Sequence, residues 1–215
     1  GGDTQMVEIS AKTGQGVDHL LGDALSFDPT QTPRTFRVVA TDYIECVFLD
    51  PMVMRLSAAY PSISVAVSHP LDPKLLNGHL ERGEADFCLG MLPSSLDALK
   101  HQLLFRDRIC CLAARSHPAA GRRLSAAEFA QLEHVVIRPT VRAFAEVVDD
   151  ALARQGLERN VRLVTPSYLT VPYALESTRL VALVPATAAN RFADRFALTT
   201  LDVDIELPAY EVYLY

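Results

Sequence analysis

The sequence predicts an α/β fold of two Rossmann-like subdomains joined by two crossover strands. Three observations carry this prediction. Apolar strand-like segments alternate with segments of helical period over residues 36–90, and a second series of the same kind covers residues 134–203. The uninterrupted apolar run RICCLAA (Arg108–Ala114) lies between the two series. The chain ends on another apolar run, Tyr210–Tyr215, which predicts a return to the first subdomain.

The first series predicts a parallel sheet with two helices. The helices are expected where apolar residues recur at helical spacing, over residues 47–58 and 75–80. Gly83 is predicted to end the second helix. Because parallel strands need right-handed crossovers, helices are expected on both sheet faces. The strands are predicted at Phe36–Thr41, Ile63–Ser68 and Asp86–Leu89.

The second series predicts another α/β subdomain. Ser125 and Glu128 have the spacing of a capping box that opens a short helix. Pro185 is expected at the first turn of the last helix, where its missing N–H costs nothing. Strands are expected at His134–Ile137, Val161–Val164, Leu180–Val184 and Ala197–Val203, and further helices at Phe144–Gln155 and Leu169–Thr178.

Composition excludes several classes of protein. The chain has 20 Lys and Arg against 26 Asp and Glu, a formal charge of −6, so it has no broad basic surface for nucleic acid. No apolar run approaches the roughly 20 residues of a membrane span, so a soluble cytoplasmic protein is expected. The four cysteines lack metal or redox spacing and predict reduced thiols, with no metal and no cofactor: Cys46, Cys88, Cys110 and Cys111.

Residues 1–34 have a different sequence pattern from the rest of the chain. The segment SAKTGQGVDHLL (Ser10–Leu21) resembles the guanine-recognition loop of translational GTPases. The chain has no G-x-x-x-x-G-K-[ST] phosphate loop, and GTP chemistry needs one. Residues 26–34 are polar with two prolines, which is typical of a linker. We therefore interpret residues 1–34 as a linker or a fusion remnant.

Four segments have distinctive sequences. They are TFRVVATDYIECVFLDPMVMRLSAAYPSISVAV at 35–67, LERGEADFCLG at 80–90, HVVIRPT at 134–140 and TRLVALVPATAANRFA at 178–193. In this order and spacing they resemble the effector-binding domain of LysR-type transcriptional regulators. The resemblance covers residues 35–215 and is closest to the branch of nodulation regulators and regulators of aromatic-compound degradation.

The resemblance implies a periplasmic-binding-protein type II fold, with residues 35–107 and 210–215 as subdomain I and residues 108–209 as subdomain II. It implies a small aromatic or organic-acid inducer bound in the cleft between the subdomains. It also implies a homo-oligomer, a dimer or tetramer in the parent regulator. DNA would be bound only through an N-terminal helix-turn-helix that this sequence lacks, and no enzymatic activity is expected.

The candidate effector contacts follow the predicted strands. In open α/β sheets, ligands bind outside the carboxyl ends of the strands. Thr41 would meet an anionic ligand at a helix N-terminus, although Thr41 or Asp42 would equally suit a helix cap. The full set is Thr41, Asp42, Tyr43, Ser68, His69, Met91, Leu92, Arg138, Pro139, Thr140, Ser167 and Tyr168.

Three of these candidates have a defined alternative. Arg138 offers two parallel hydrogen bonds to an anion, or an ion pair with Glu146 or Asp149. Tyr168 offers a flat apolar face to an aromatic ring, or it packs at a helix start. His69 would donate to a phenolate or carboxylate, or it is solvated.

Two other functions fit a two-lobed α/β fold. A solute-binding protein would need a signal peptide or a lipid-attachment cysteine, and Cys46 lies too far inside the chain for that. An enzyme would need an acid/base set in the cleft. The chain has no G-x-S-x-G elbow, and no nucleophile, base and orienting group stand together at motif spacing.

Overall fold

The computed structural model describes residues 29–69, 73–90, 100–138, 144–207 and 209–215. They divide into two compact units, the first within residues 29–69, 74–105 and 211–215 and the second within residues 106–210. Most of residues 1–34, interpreted from the sequence as a linker or a fusion remnant, lies outside the described residues, which begin at residue 29. No helix in the described ranges is long and apolar enough to cross a membrane.

Strands and helices alternate along most of the chain. The strands are β1 (Arg34–Ala40), β2 (Ile63–Ser68), β3 (Phe87–Gly90), β4 (Gln102–Ala114), β5 (Arg123–Leu124), β6 (Glu133–Ile137), β7 (Asn160–Thr165), β8 (Leu180–Pro185), β9 (Leu198–Val203) and β10 (Ala209–Leu214). The helices are α1 (Asp42–Ile44), α2 (Asp50–Ala59), α3 (Pro73–Glu81), α4 (Ala126–Gln131), α5 (Phe144–Ala153), α6 (Val171–Leu175) and α7 (Ala186–Ala193). A π-helical segment, Glu45–Leu49, connects α1 to α2.

The sheet of the first unit has the order β2, β1, β3, β10. β1 pairs in parallel with β2 and β3, and β10 pairs antiparallel with β3. Val39 lies opposite Ser68, and Ala40 lies opposite Leu89. The carboxyl ends of the three parallel strands therefore meet at one edge of the sheet, as the sequence predicts.

Helices pack on both faces of this sheet. Phe36 and Val39 lie an odd number of residues apart on β1, so their side chains point to opposite faces. Phe36 packs with Leu56 of α2 and Ile63. Val39 packs with Leu76 of α3 and with Cys88. The predicted coverage of both faces is confirmed.

The ends of the elements in the first unit differ in how well the sequence predicts them. Gly83 has a φ of 65°, and Glu84 N–H donates to the His79 carbonyl at 2.8 Å, which confirms the glycine end of α3. The spacing of apolar residues does not predict the π-helical turn before α2. A single π-helical turn adds only one residue, so the apolar spacing still resembles that of a continuous α-helix.

The sheet of the second unit surrounds the apolar half of β4. β4 pairs antiparallel with β8 on one side and with β9 on the other. β6 pairs in parallel with β8 and with β7, and β5 pairs with β9. Cys111, Leu112 and Ala113 have no exposed surface, because both edges and both faces of this strand are covered.

Three details of the second unit need correction. The helix expected at Leu169–Thr178 is shorter, because regular helix covers only Val171–Leu175. Pro185 is the N-cap of α7 with a ψ of 141°, not its first helical residue, so the ring ends β8 before the helix begins. The two-residue strand β5 was not expected, because its pairing with β9 is set by residues about 80 positions away.

The capping box of α4 is confirmed. Glu128 N–H donates to the Ser125 hydroxyl at 3.3 Å, and Ser125 N–H donates to a Glu128 carboxylate oxygen at 2.9 Å. Two backbone donors at the start of α4 are thereby satisfied. The bond from Ser125 N–H, together with the Ser125 hydroxyl, lowers the pKa of the Glu128 carboxyl.

His134, at the start of β6, is fully buried. Its Nε2 lies 2.8 Å from the Phe129 carbonyl oxygen, and its ring packs edge-on against the Phe129 ring. Nδ1 has no hydrogen-bond partner among the described residues. Because burial penalises the imidazolium, the pKa of His134 falls to about 4.

Titration of His134 makes folding sensitive to acid. The folded pKa of about 4 lies below the ordinary value of 6.5, so the unfolded chain binds the proton first. The free energy of unfolding should decrease as the pH falls from 6.5 to 4, by about 3 kcal/mol at most from this residue. Urea denaturation across that range measures the slope.

The matched variants for this prediction are His134→Gln and the exposed His101→Gln. His134→Gln should reduce the slope, leaving the contributions of His117, whose pKa is also lowered by burial, and of carboxyls with a lowered pKa such as Glu128. His101→Gln removes an exposed imidazole and should change the slope less than His134→Gln does. An equal slope in the wild type and in His134→Gln would contradict the assignment.

Candidate functional site

Thr41 occupies the turn between β1 and α1. Its backbone is extended (φ −80°, ψ 158°), and its carbonyl accepts a 3.0 Å hydrogen bond from Glu45 N–H. The Thr41 side chain makes no capping bond to α1. Its hydroxyl oxygen is buried and has no partner among the described residues. The capping alternative for Thr41 is therefore not what its side chain does, and its buried hydroxyl has unused hydrogen-bonding capacity.

Asp42 and Tyr43 are both buried at the start of α1. One carboxylate oxygen of Asp42 accepts a 2.9 Å hydrogen bond from Tyr43 N–H. A negative charge thus already lies at this helix start, where it is favourably placed. Tyr43 is only 1% exposed, so its ring belongs to the core around the turn.

Ser68 is the last residue of β2, His69 follows it, and both are exposed. His69 Nε2 lies 2.7 Å from a carboxylate oxygen of Glu45 in the π-helical segment. This contact links the chain after β2 to the helix after β1. The sequence does not predict Glu45 as the partner of His69, because the pairing spans 24 residues and leaves no local pattern. Met91 and Leu92, expected after β3, lie outside the described residues.

In the second unit, Arg138 follows β6. Its N–H donates to the Thr165 carbonyl at 2.9 Å, which ties the ends of β6 and β7 together. Its guanidinium is half exposed and lies 3.4 Å from a carboxylate oxygen of Asp149. Arg159, whose side chain is 2% exposed, holds the other oxygen of Asp149 at 2.6 Å. The ion pair weighed in the sequence analysis is therefore present, although Arg159 is the closer partner.

Ser167 and Tyr168 lie in the turn after β7. Ser167 N–H donates to the Thr165 hydroxyl at 3.2 Å, and the Thr170 hydroxyl donates to the Ser167 carbonyl at 3.0 Å. Tyr168 is 1% exposed and packs at the start of α6. Pro139 and Thr140 lie outside the described residues. The contact role of all twelve candidates stays a prediction.

Three cysteine thiols, in β3 and β4, are largely buried. Burial raises the pKa of the Cys88 thiol to about 12 and that of Cys110 to about 11, so both stay protonated at neutral pH. Burial raises the pKa of Cys111 still further. In the described ranges, no group of three or more His, Cys, Asp or Glu side chains is arranged to hold a metal ion.

Comparison with known proteins matches residues 29–215 to the LysR substrate binding domain model. The HTH-type transcriptional activator NagR of Ralstonia sp. is 34% identical over 88% of this chain and 62% of its own length. NahR of Pseudomonas putida, also an HTH-type transcriptional activator, is 27% identical over 92% of this chain and 66% of its own length. The chain thus spans less than two thirds of these relatives.

A solved structure gives the same result. The regulatory domain of MexT, a transcriptional activator in Pseudomonas aeruginosa, superposes with a TM-score of 0.70 at 25% sequence identity. The match covers 84% of this chain and 88% of that domain. The two-unit architecture is therefore that of a regulatory domain with a periplasmic-binding-protein-like fold, as the sequence predicts.

The unpartnered hydroxyl of Thr41 predicts an unusual response to substitution. Thr41→Val keeps the shape of the side chain and removes an oxygen that makes no hydrogen bond with the part of the chain that the structure describes. The free energy of unfolding should stay unchanged or rise by up to about 1 kcal/mol. Urea denaturation measures the change.

Thr165→Val is the matched control, because the Thr165 hydroxyl is also buried but accepts from Ser167 N–H and pairs with Thr170. This variant should lose about 1–2 kcal/mol. If Thr41→Val costs as much as Thr165→Val, the Thr41 hydroxyl has a partner within the fold.

Proposed function

The chain belongs to the LysR substrate binding domain family, and from this we propose that it senses a small aromatic or organic acid for a LysR-type transcriptional regulator. The single observation that carries the ligand role is the buried hydroxyl of Thr41 at the carboxyl end of β1, which has no hydrogen-bond partner among the described residues. A hydroxyl buried without a partner costs free energy that a ligand hydrogen bond recovers.

The surroundings of Thr41 favour a hydrogen bond as the mode of recognition. The Asp42 carboxylate already accepts a hydrogen bond from Tyr43 N–H. Because it is negatively charged, it repels a second carboxylate at that point. The Thr41 hydroxyl is neutral and both donates and accepts. It therefore suits a carboxylate oxygen as acceptor or a phenol hydroxyl as donor. Ser68, opposite Val39 in the neighbouring strand, offers a second hydroxyl at the same sheet edge.

Regulation follows from differential affinity. A ligand that binds one conformation of the domain more tightly than another shifts the population toward the first. Couplings of this kind are typically about 1–3 kcal/mol, enough for a 5–150-fold change in the affinity of a second site. DNA contact is assigned to a further part of the regulator, in keeping with the net charge of −6 here. A cytoplasmic location fits four free cysteines and a role at DNA.

We also propose that the domain binds its effector without turnover. Three of its thiols have raised pKa values and are poor nucleophiles. A thermal-shift panel of phenols and aromatic carboxylic acids tests this. Saturable stabilisation by an unaltered ligand is expected. Formation of a product would show an enzyme instead.

Thr41→Val should weaken binding of the best panel compound by about tenfold, the loss of one hydrogen bond of about 1.4 kcal/mol. Calorimetric titration measures the dissociation constant. Thr200→Val, the same change on the exposed part of β9, is the matched control and should bind as the wild type does. Equal affinities for wild type and Thr41→Val would remove Thr41 from the site.

Self-association is proposed from two edge strands. β2 pairs only with β1 and β7 only with β6 among the described strands, so each leaves backbone donors and acceptors open. Apolar side chains accompany both edges. Val53, Met54 and Val67 are exposed in the first unit, and Val147, Val161, Leu163 and Val164 in the second. These two groups of residues fit contact with a second copy of the chain.

Met54 is 76% exposed on α2, and Met54→Lys places a charge in the proposed contact. The wild type should form dimers at micromolar concentration in sedimentation velocity, and Met54→Lys should shift them toward monomers. Tyr173→Lys is the control, because Tyr173 is similarly exposed, at 73%, but lies outside both groups. A monomeric wild type, or equal effects of the two variants, would contradict this interface.

A further inference from the structure

The second unit contains a cavity of about 640 Å³. This volume falls within the roughly 300–1,000 Å³ typical of small-molecule sites. The cavity belongs wholly to the second unit, beside the segment that follows β4. Buried side chains form part of its lining, among them His117, Ala119 and Leu124. Ala127 of α4 and Leu132 add further aliphatic surface, and none of the lining residues is aromatic except His117.

His117 fixes one wall of the cavity. Its Nδ1 accepts a 3.1 Å hydrogen bond from Ala119 N–H, so the ring proton is assigned to Nε2. Nε2 then donates to the Arg179 carbonyl oxygen at 3.2 Å. His117 thus joins the segment after β4 to the turn before β8, and it holds Arg179 at the cavity. Burial lowers the pKa of His117, which keeps this neutral tautomer near neutral pH.

The two carboxylates at the cavity are already compensated. Glu128 pairs with Arg122 at 2.8 Å. Glu133 pairs with Arg162 at 3.1 Å. Arg179 differs, because its guanidinium has no hydrogen bond or ion pair within the part of the chain that the structure describes. One positive charge at the cavity is therefore left uncompensated.

We propose that this cavity binds a small carboxylic acid with an aliphatic body. The carboxylate would pair with the Arg179 guanidinium, whose planar fork fits two carboxylate oxygens. The aliphatic body would cover Leu124, Ala127 and Leu132, and the Gln131 amide lies at the same cavity as a further polar group. This site lies in the second unit and does not depend on the effector role of Thr41 in the first.

Cyclohexanecarboxylate is a suitable probe, and its neutral amide, cyclohexanecarboxamide, is the matched comparison. Titration into the ¹⁵N-labelled chain, followed by amide chemical shifts, reports both affinity and location. Saturable shifts are expected at Ala119, Ala127 and the Gln131 side-chain amide. The carboxamide should bind at least about fivefold more weakly, the value of one exposed ion pair of about 1 kcal/mol.

Two variants separate the charge from the shape of the site. Arg179→Gln should weaken the carboxylate about fivefold and leave the carboxamide unchanged. Ala127→Leu, which adds bulk to the cavity lining at an exposed position, should weaken the binding of both probes. Arg123→Gln is the control, because Arg123 pairs with Asp204 and does not line the cavity.

Three results would overturn the proposal. The first is shifts confined to residues around Thr41, which would place the probe in the first unit. The second is equal affinity for the carboxylate and the carboxamide. The third is equal binding by Arg179→Gln and Arg123→Gln. If the amide spectrum of Ala127→Leu loses its dispersion, that variant is unfolded. The comparison of Arg179→Gln with Arg123→Gln then tests the proposal by itself.

Discussion

Both units depend on the same requirement, that buried strands satisfy their backbone hydrogen bonds on both edges. β1 meets it by pairing in parallel with β2 and β3. Parallel pairing forces the chain to leave each strand at the same edge and to return by a helical crossover. Thr41 and Ser68 therefore lie near each other although they are far apart in sequence. Strand pairing therefore determines that these side chains meet at one edge of the sheet. The sequence of each turn determines only which side chains lie there.

The same requirement explains which features the sequence reveals. An interior strand such as the apolar half of β4 must be apolar on both faces, so RICCLAA is recognisable from composition. Helix ends that neighbouring residues determine are equally recognisable in the sequence, as at Gly83 and in the Ser125 capping box. The sequence does not predict the two-residue β5, and it predicts too long a helix at α6. Contacts with residues far away in the sequence determine both elements. The π-helical turn after Ile44 leaves no signal in apolar spacing.

The candidate site follows the same division. The location of Thr41 at a strand end could be predicted, because strand ends are encoded locally. The state of its hydroxyl, buried and without a partner, depends on packing that no local pattern reports. The sequence indicates an ion pair of Arg138 with Asp149 as one alternative, but it does not indicate the nearly buried Arg159 that holds Asp149. The cavity at His117 was also missed, since it joins residues 117–133 to Arg179 across about 50 positions.

The central claim is that the Thr41 hydroxyl lacks a partner among the described residues because a ligand provides it. A crystal structure of the chain with the best aromatic acid or phenol of the thermal-shift panel tests this most directly. The account predicts a ligand oxygen at about 2.5–3.0 Å from Thr41 Oγ1, the distance of an O–H···O hydrogen bond. A well-ordered ligand that leaves Thr41 Oγ1 without a contact would contradict it.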